Sequence, residues 1–361
     1  MGARLVNFKF NLNPLDYFWG AFSLDLGVDL GTANTKIAVC GKGVMVREPT
    51  VVAAHKKTKQ LLAIGSEAKK MLGKTPASII ATRPLRDGVI NDLDFAESLL
   101  KHFIHKVHQT PTSFPKIPRP KIAIAVPSGA TEVERRAVSD AATAAGAREV
   151  YLVDEPMAAA LGAGLPIDEP KGHMIVDIGA GTTEIAIISL GGIVVSKSLR
   201  VAGDEMDGDI ISYTRARYNL LLGEKSAEES KIGYGSAYPA RKESKLQISG
   251  RDLATGLPVA VTTSTGEIRE AISNTLRTII EGIKDVIEES PPELVNDVAQ
   301  EGIYLTGGGA LLKGWPALLA KETRMPTILA QDPLTRVVKG TAKVLEDDRL
   351  YRKIKFAGSL R

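Results

Sequence analysis

Two short stretches of this sequence are near-copies of one another: Asp29-Leu30-Gly31-Thr32-Ala33-Asn34-Thr35 and Asp177-Ile178-Gly179-Ala180-Gly181-Thr182-Thr183. Each follows an apolar run with strand character and precedes another. Glycine and hydroxyl residues in a tight turn between two strands expose backbone N–H groups that converge on a concavity suited to phosphate oxygens. An aspartate ending the strand that feeds such a turn is placed to hold Mg²⁺ through water, because Mg²⁺ keeps several waters and takes few protein ligands. Asp29 and Asp177 are therefore the metal-side candidates; the alternative is that each carboxylate caps its own turn. The repetition fits two related lobes that each contribute one turn to a shared cleft, with chance likeness between two glycine turns as the competing explanation.

The rest of the chain alternates strands with helices. From Leu24 the sequence is strand-rich, with Val28, Ile37, Val39, Val44, Val46, Val51 and Val52 in short segments separated by glycines, which predicts consecutive hairpins. Helical spacing follows at Asp94 to His108, Thr131 to Ala145, Glu155 to Gly164 and, longest, Glu267 to Glu288. Between them run apolar strand candidates at Lys121 to Val126, Val150 to Val153, Met174 to Ile178, Thr183 to Ser189 and Gly302 to Leu305. This alternation predicts an α/β fold with mixed sheets. Gln109 to Pro120, with four prolines, reads as a loop. Gly223 to Lys245 mixes charge with glycine, and its pattern assigns it no element.

At 361 residues and 44% hydrophobic content, the chain can bury a large core in two domains or two lobes. A net charge of +4 gives no basic patch dense enough to argue for nucleic acid. The single cysteine, Cys40, forms neither an internal disulfide nor a cysteine-based metal site, which favours a reducing cytoplasm. Charged Asp177 and Glu184 interrupt the best membrane-spanning candidate, and no secretion signal is read at the N-terminus. The first 22 residues stand apart. Phe8, Phe10, Tyr17, Phe18, Trp19 and Phe22 crowd a segment whose charged side chains are Arg4, Lys9 and Asp16. Asn13-Pro14 followed by Asp16 predicts a short helix, suited to the interface of a membrane with help from the loop around Phe114. The same aromatics would equally suit docking on the protein's own surface or on a partner.

Two further stretches carry chemistry. Glu155 opens an alanine-rich helix, where the helix dipole favours a carboxylate; it could equally face a terminal phosphate and orient, or take a proton from, the attacking water. Thr306-Gly307-Gly308-Gly309 ends a strand in three glycines. They would let the backbone lie against a flat ligand, and a plain turn before the next helix explains them almost as well.

In this order, the two turns, Asp154-Glu155-Pro156 and Thr306-Gly307-Gly308-Gly309 resemble the nucleotide cleft of the actin and sugar-kinase superfamily. Pro127-Ser128-Gly129, Thr131-Glu132-Val133-Glu134-Arg135-Arg136 and Gly203-Asp204-Glu205-Met206-Asp207 are similar to the bacterial actins of the MreB family, and the similarity runs from about Ser23 to about Lys355. The resemblance implies an actin-like ATPase fold: two lobes of duplicated ribonuclease-H-like topology with mixed β-sheets, each with a large and a small subdomain. It places the lobe I large subdomain at 23–50, 83–160 and 330–356, with the small one at 51–82. Lobe II has its large subdomain at 161–200 and 262–329, and its small one at 201–261; residues 1–22 are an extension.

ATP or ADP with Mg²⁺ is implied between the lobes. Gly31, Thr32, Ala33 and Asn34 would hold the phosphates, Gly179, Ala180 and Gly181 would meet them from the other lobe, and Glu155 and Thr182 would place the water. Glu228 and Lys231 would reach the ribose or adenine, and Gly307 and Gly308 would pack beside the base. The implied activity is ATP hydrolysis coupled to filaments of the chain itself, at the cytoplasmic membrane surface, organising cell-wall synthesis and cell shape with the rod-complex proteins MreC and RodZ. Four residues depart from the family pattern: Ala180 replaces a common glycine, Gly233-Tyr234 stand where a glutamate and an apolar residue are expected, and Lys36 follows the first turn. A specialised bacterial actin that aligns organelles or moves plasmids is an alternative, as is a small-molecule kinase of the superfamily. A chaperone-type ATPase is disfavoured because the stretch after Gly309 is too short for a further domain of ordinary size.

Overall fold

The computed structural model describes residues 23–109, 118–239, 242–347, 349–352 and 354. The N-terminal aromatic segment and the loop around Phe114 lie outside them. The first lobe begins with three antiparallel strands, β1 (Leu26–Leu30), β2 (Asn34–Val39) and β3 (Gly43–Pro49). A small antiparallel sheet follows, built from β4 (Val52–His55), β5 (Leu61–Ile64) and β6 (Ile79–Thr82), with α1 (Ser66–Met71) between the last two. A two-stranded hairpin, β7 (Leu85–Arg86) and β8 (Val89–Ile90), leads to α2 (Leu93–His108). Asp92 caps that helix by accepting from the Phe95 N–H, and Phe95, Leu99, Leu100, Phe103, Ile104 and Val107 bury its inner stripe. The lobe continues with β9 (Lys121–Val126), α3 (Glu132–Ala144), β10 (Glu149–Asp154) and α4 (Glu155–Ala163). A capping box starts α3, in which Thr131 and Glu134 satisfy each other's backbone N–H.

The second lobe repeats the plan. Antiparallel β11 (His173–Ile178), β12 (Thr183–Ser189) and β13 (Gly192–Leu199) come first, then α5 (Gly203–Tyr218), β14 (Leu220–Leu221) and α6 (Glu224–Tyr234). β14, β15 (Lys245–Asp252) and β16 (Pro258–Ser264) make its small antiparallel sheet. α7 (Thr265–Ala271), α8 (Ser273–Glu289), α9 (Pro292–Glu301), β17 (Ile303–Thr306), α10 (Trp315–Thr323) and β18 (Thr327–Leu329) return to the main sheet, and α11 (Arg336–Glu346) follows them.

The two large sheets have the same topology. The first runs β10-β9-β1-β2-β3 and the second β13-β12-β11-β17-β18, which is the same order read from the other edge. In each, the strand before the glycine turn pairs antiparallel with the strand after it and parallel with a later strand. The duplication seen in the two turns is therefore a duplication of whole sheets. Every residue of β1 and β11 is buried, as expected of central strands covered on both faces.

Each lobe has its own apolar core, and a third core joins them. There Ala158, Ala159 and Ala160 of α4 meet Ile175, Ala186 and Ile188 of lobe II and Val337 and Val344 of α11. Small residues let α4 and α11 come into backbone contact: a Cβ on Gly162 would fall 1.8 Å from the Arg336 carbonyl oxygen, and one on Gly340 1.8 Å from that of Ala158. α11 also crosses the first sheet, with Gly27 under the Ala342 backbone.

Two expectations are corrected. The helix expected over Glu267 to Glu288 is two, α7 and α8, joined at Ile272. Ile272 is fully buried and continues the apolar stripe of Ile268 and Leu276, so periodicity could not reveal the joint. The stretch from Gly223, which the sequence left unassigned, forms α6, whose Ala227 and Ser230 are buried against α5 and α7. Among the described residues, no helix is long and apolar enough to cross a membrane.

Candidate functional site

The two repeated turns face each other across a cavity of about 350 Å³. The structure brings all the residues singled out from the sequence to its wall. Asp29, Gly31, Thr32, Ala33 and Asn34 come from lobe I, Glu155 from the start of α4, and Asp177, Gly179, Ala180, Gly181 and Thr182 from lobe II. Glu228 and Lys231 come from α6, and Gly307 and Gly308 from the loop after β17. The turns nearly touch: a Cβ on Gly181 would lie 2.6 Å from Thr32 Oγ1.

The glycines after β17 have separate causes. Gly307, at φ 87°, lies so close to Asp177 and Ile178, and Gly309 so close to Ile178, that a Cβ on either would collide. Gly308 faces the cavity, with Leu334 as its nearest neighbour. The triplet is thus required first by the approach of this loop to the end of β11, and one of its members remains to present bare backbone to a ligand.

Charge accumulates at the turn end. Asp29, Asp177 and Glu155 converge there with one cation, Lys36, whose Nζ lies 2.6 Å from Asp29 Oδ2. Asp177 is pushed up to about 7, first by burial and then by Asp29 and Glu184, with Lys36 pulling the other way. Burial, then Asp177, Glu184 and Asp29, holds the Glu155 carboxyl well above the usual carboxylate range. Burial works against the charge of Lys36, but Asp29, with Asp177 and Glu155 behind it, keeps its ammonium above its ordinary value. Glu184, across the strand pair from Asp177, is turned elsewhere: it accepts from Ser128 N–H at 2.9 Å, Ser128 Oγ at 2.7 Å and Ser198 Oγ at 2.5 Å.

This pocket fits a cation. Asp177 Oδ2 is buried without a hydrogen-bond partner, in a site where burial and neighbouring carboxylates already oppose negative charge. Among the described residues no group of three or more His, Cys, Asp or Glu side chains forms a cage for a metal. Mg²⁺ keeps waters and takes one or two carboxylates alongside phosphate oxygens, and Asp29 and Asp177 are the carboxylates that would hold it.

At the other end the wall is apolar, with Ile232, Leu311, Leu312 and Leu334. Lys231 is held by the Gly203 carbonyl at 2.7 Å and Asp207 Oδ2 at 2.8 Å. Burial raises Asp207 to about 6, with Lys231 offsetting part of the effect. Glu228 pairs with Lys69 of lobe I at 3.3 Å, and Asp204 with Arg83 at 3.0 Å, so two ion pairs bridge the lobes over the cavity.

Sequence reasoning missed the hairpin tip Asp87-Gly88. Gly88 donates to Thr32 Oγ1 at 3.0 Å and sits against Pro127 and Thr182, while Asp87 packs against Gly181, so the tip fills the space between the two turns. Both residues have positive φ, and an Asp-Gly pair between short apolar segments is the signal that could have found it. Gly203, Asp204, Met206 and Asp207 also line the cavity; they had been noted as motif residues without a place in the site.

The comparisons agree with this geometry. The chain matches the family described as MreB/Mbl protein over residues 23–353. It is 49% identical over 336 residues to the cell shape-determining protein MreB of Escherichia coli (strain K12), covering 92% of this chain and 96% of that protein. It is 43% identical over 333 residues to the cell shape-determining protein Mbl of Bacillus subtilis (strain 168), covering 92% and 99%. The crystal structure of MreB5 of Spiroplasma citri bound to AMPPNP superposes with a TM-score of 0.85 at 40% identity, covering 91% of this chain and 97% of that one. A MamK double helical filament, at 24% identity and a TM-score of 0.76, shares the fold. With matches of this extent and the duplicated actin-like lobes around one cleft, the chain belongs to the MreB/Mbl family.

Proposed function

We propose that the chain is an actin-like cytoskeletal ATPase that binds ATP or ADP between its lobes, polymerises with itself and helps to determine cell shape. One observation carries this reading: two sheets of identical topology present near-identical turns to one cavity, with Glu155 between them. The turns at Gly31 to Asn34 and Gly179 to Thr182 bind the phosphates through backbone N–H groups. Glu155 orients a water and accepts its proton, and Thr182 helps to place that water. Asp177, and Asp29 where Lys36 leaves it free, would hold Mg²⁺, which neutralises phosphate charge when bound. Glu228 and Lys231 serve the ribose or adenine, and the base lies along Gly307, Gly308 and the apolar wall. Support for a nucleotide comes from the Spiroplasma citri MreB5 structures bound to AMPPNP and to ADP.

The subdomain boundaries given above belong to the same proposal. The sheet β4-β5-β6 falls within 51–82, most of β14-β15-β16 within 201–261, and α11 packs on the lobe I sheet within 330–356. Filaments of this chain lie on the cytoplasmic face of the membrane, held there by residues 1–22, and act with MreC and RodZ in organising wall synthesis. The test is phosphate release from the purified protein with Mg²⁺-ATP, followed by pelleting and electron microscopy with and without anionic liposomes. Nucleotide-dependent filaments that bind vesicles, and lose them when residues 1–22 are removed or Phe18 and Trp19 become Glu, support the reading. A monomer in every condition overturns polymerisation, and equal vesicle binding by all three forms overturns the role of the N-terminal segment.

A further inference from the structure

One face of β12 forms part of the seam between the lobes. Ala186 and Ile188 lie on it, in the apolar core shared with α4 and α11. Glu184, one step of the strand's two-residue period nearer the second turn, belongs to the same row. It is fully buried, and it is the charged member of that row. Its carboxylate accepts from Ser198 Oγ of β13, within lobe II, at 2.5 Å. From lobe I, across the seam, it accepts Ser128 N–H at 2.9 Å and Ser128 Oγ at 2.7 Å. Gly129 follows so closely on β13 that a Cβ there would fall 2.9 Å from that of Ser198. A carboxylate is costly to bury unless donors surround it. Here burial pushes the Glu184 carboxyl up, and the hydrogen bonds from Ser198 and Ser128 offset part of the effect. Its charge only adds to the repulsion already acting on Glu155 and Asp177, so what Glu184 supplies is a directed contact between the lobes.

Direction matters at this point. Apolar attraction is non-directional, so alanine and isoleucine hold the lobes together without fixing how one sits along the other. Hydrogen bonds to a single carboxylate do fix it, because they tolerate little change in distance or angle. The fixed points adjoin the site on both sides. Ser128 lies just beyond Val126, which is paired with Asp154 across β9 and β10, and Asp154 precedes Glu155. Glu184 lies just beyond Thr182 and Thr183 of the second turn, and Thr183 Oγ1 ties that turn to the Val201 carbonyl at 2.7 Å. Between them, Pro127 and Thr182 grip Gly88. We infer that Glu184 is a positioning residue for hydrolysis: by spanning the seam to Ser128 it sets the distance between Glu155 on lobe I and Thr182 on lobe II. This rests on the water-placing roles proposed for those two residues and adds the group that keeps them in register.

Phosphate release by the full chain with Mg²⁺-ATP, and ATP affinity measured separately by calorimetry, tell span from charge. Glu184→Asp keeps the charge but is one methylene too short to reach Ser128. It and Glu184→Ala should each lose roughly 10²-fold in kcat, the cost of displacing reacting groups by about 1 Å. ATP affinity in both should stay within about 3-fold of the wild type, since only the transition state needs the register. Glu184→Gln keeps the length and an acceptor oxygen for the Ser128 N–H, so its kcat should stay within about 5-fold. Ser128→Ala removes one donor and should lose about 10-fold in kcat. Added to Glu184→Ala, it should cost nothing further, because the two residues make one contact. Near-normal kcat in Glu184→Ala overturns the inference. So does a Glu184→Gln as impaired as Glu184→Ala, which would make charge the cause, and so does a fall in ATP affinity that matches the fall in kcat. If the Glu184 variants do not fold, Ser128→Ala decides, and full activity in it overturns the inference. A wild-type chain that binds no ATP, or binds it and releases no phosphate, overturns the proposed function and the inference with it. An active wild type with indifferent variants overturns the inference alone.

Discussion

Glu155 shows how one carboxylate can serve a helix and a reaction together. It opens α4, where the helix dipole favours negative charge, and the same position aims it into the cavity beside Asp177. Glu155→Ala should keep ATP binding while slowing phosphate release by about 10²-fold or more, the scale on which loss of a general base is felt. A phosphate-release assay under saturating Mg²⁺-ATP decides it, and near-normal turnover would leave Glu155 only the helix start. The residue was legible in the sequence because it stands in a compact motif. Asp87 and Gly88 were not, because their importance lies in filling the space between Thr32, Pro127 and Thr182, three residues far apart in the chain.

Among the elements, the crossing of α4 and α11 is where side-chain size matters most. Both helices carry glycines at the crossing, and a methyl on Gly340 would be driven into the Ala158 carbonyl. Gly340→Ala should therefore destabilise the chain by about 3 kcal/mol or more, in the range of severe overpacking. Gly208, within α5, has nothing within 4 Å of its missing Cβ. Gly208→Ala should instead stabilise by about 0.5–1 kcal/mol through helix propensity. Urea unfolding of both variants checks the pair, and equal effects would show that the crossing can relax. The alanines of α4 suit a close approach; its partner, α11, sits 182 residues away at the Lys343–Leu161 contact, and only the family resemblance placed the two in one subdomain.

For the molecule as a whole, the lobes are joined in two ways. The buried core around Ala158 and Ile175 packs elements of both lobes together, while Arg83–Asp204 and Lys69–Glu228 span the cavity from lobe to lobe. Each ion pair is partly exposed, so each contributes only about 0–1 kcal/mol and is weakened by salt. Replacing Arg83 and Lys69 together by Met should leave the melting temperature nearly unchanged. It should raise amide exchange several-fold in the turns 31–34 and 179–182, with β1 and β11 still protected. Hydrogen exchange by mass spectrometry measures this, and unchanged protection in the turns would mean that these pairs do not hold the cleft shut.

The sequence by itself determined the elements whose signals are local. Strands read from apolar runs, α3 from its helical spacing, the turns from glycine and hydroxyl residues, and the site residues from short motifs in a fixed order. Their duplication in sequence also announced two related lobes. What it could not determine were features set by distant contacts: the joint at Ile272 inside an unbroken apolar stripe and the helix over Glu224–Tyr234. The same holds for the pairing of Lys36 with Asp29, noted in the sequence only as a departure from pattern. Periodicity records which residues prefer to be buried, but whether a buried lysine faces a carboxylate or a methyl depends on how strands pair and lobes close, and only the tertiary structure fixes those distances.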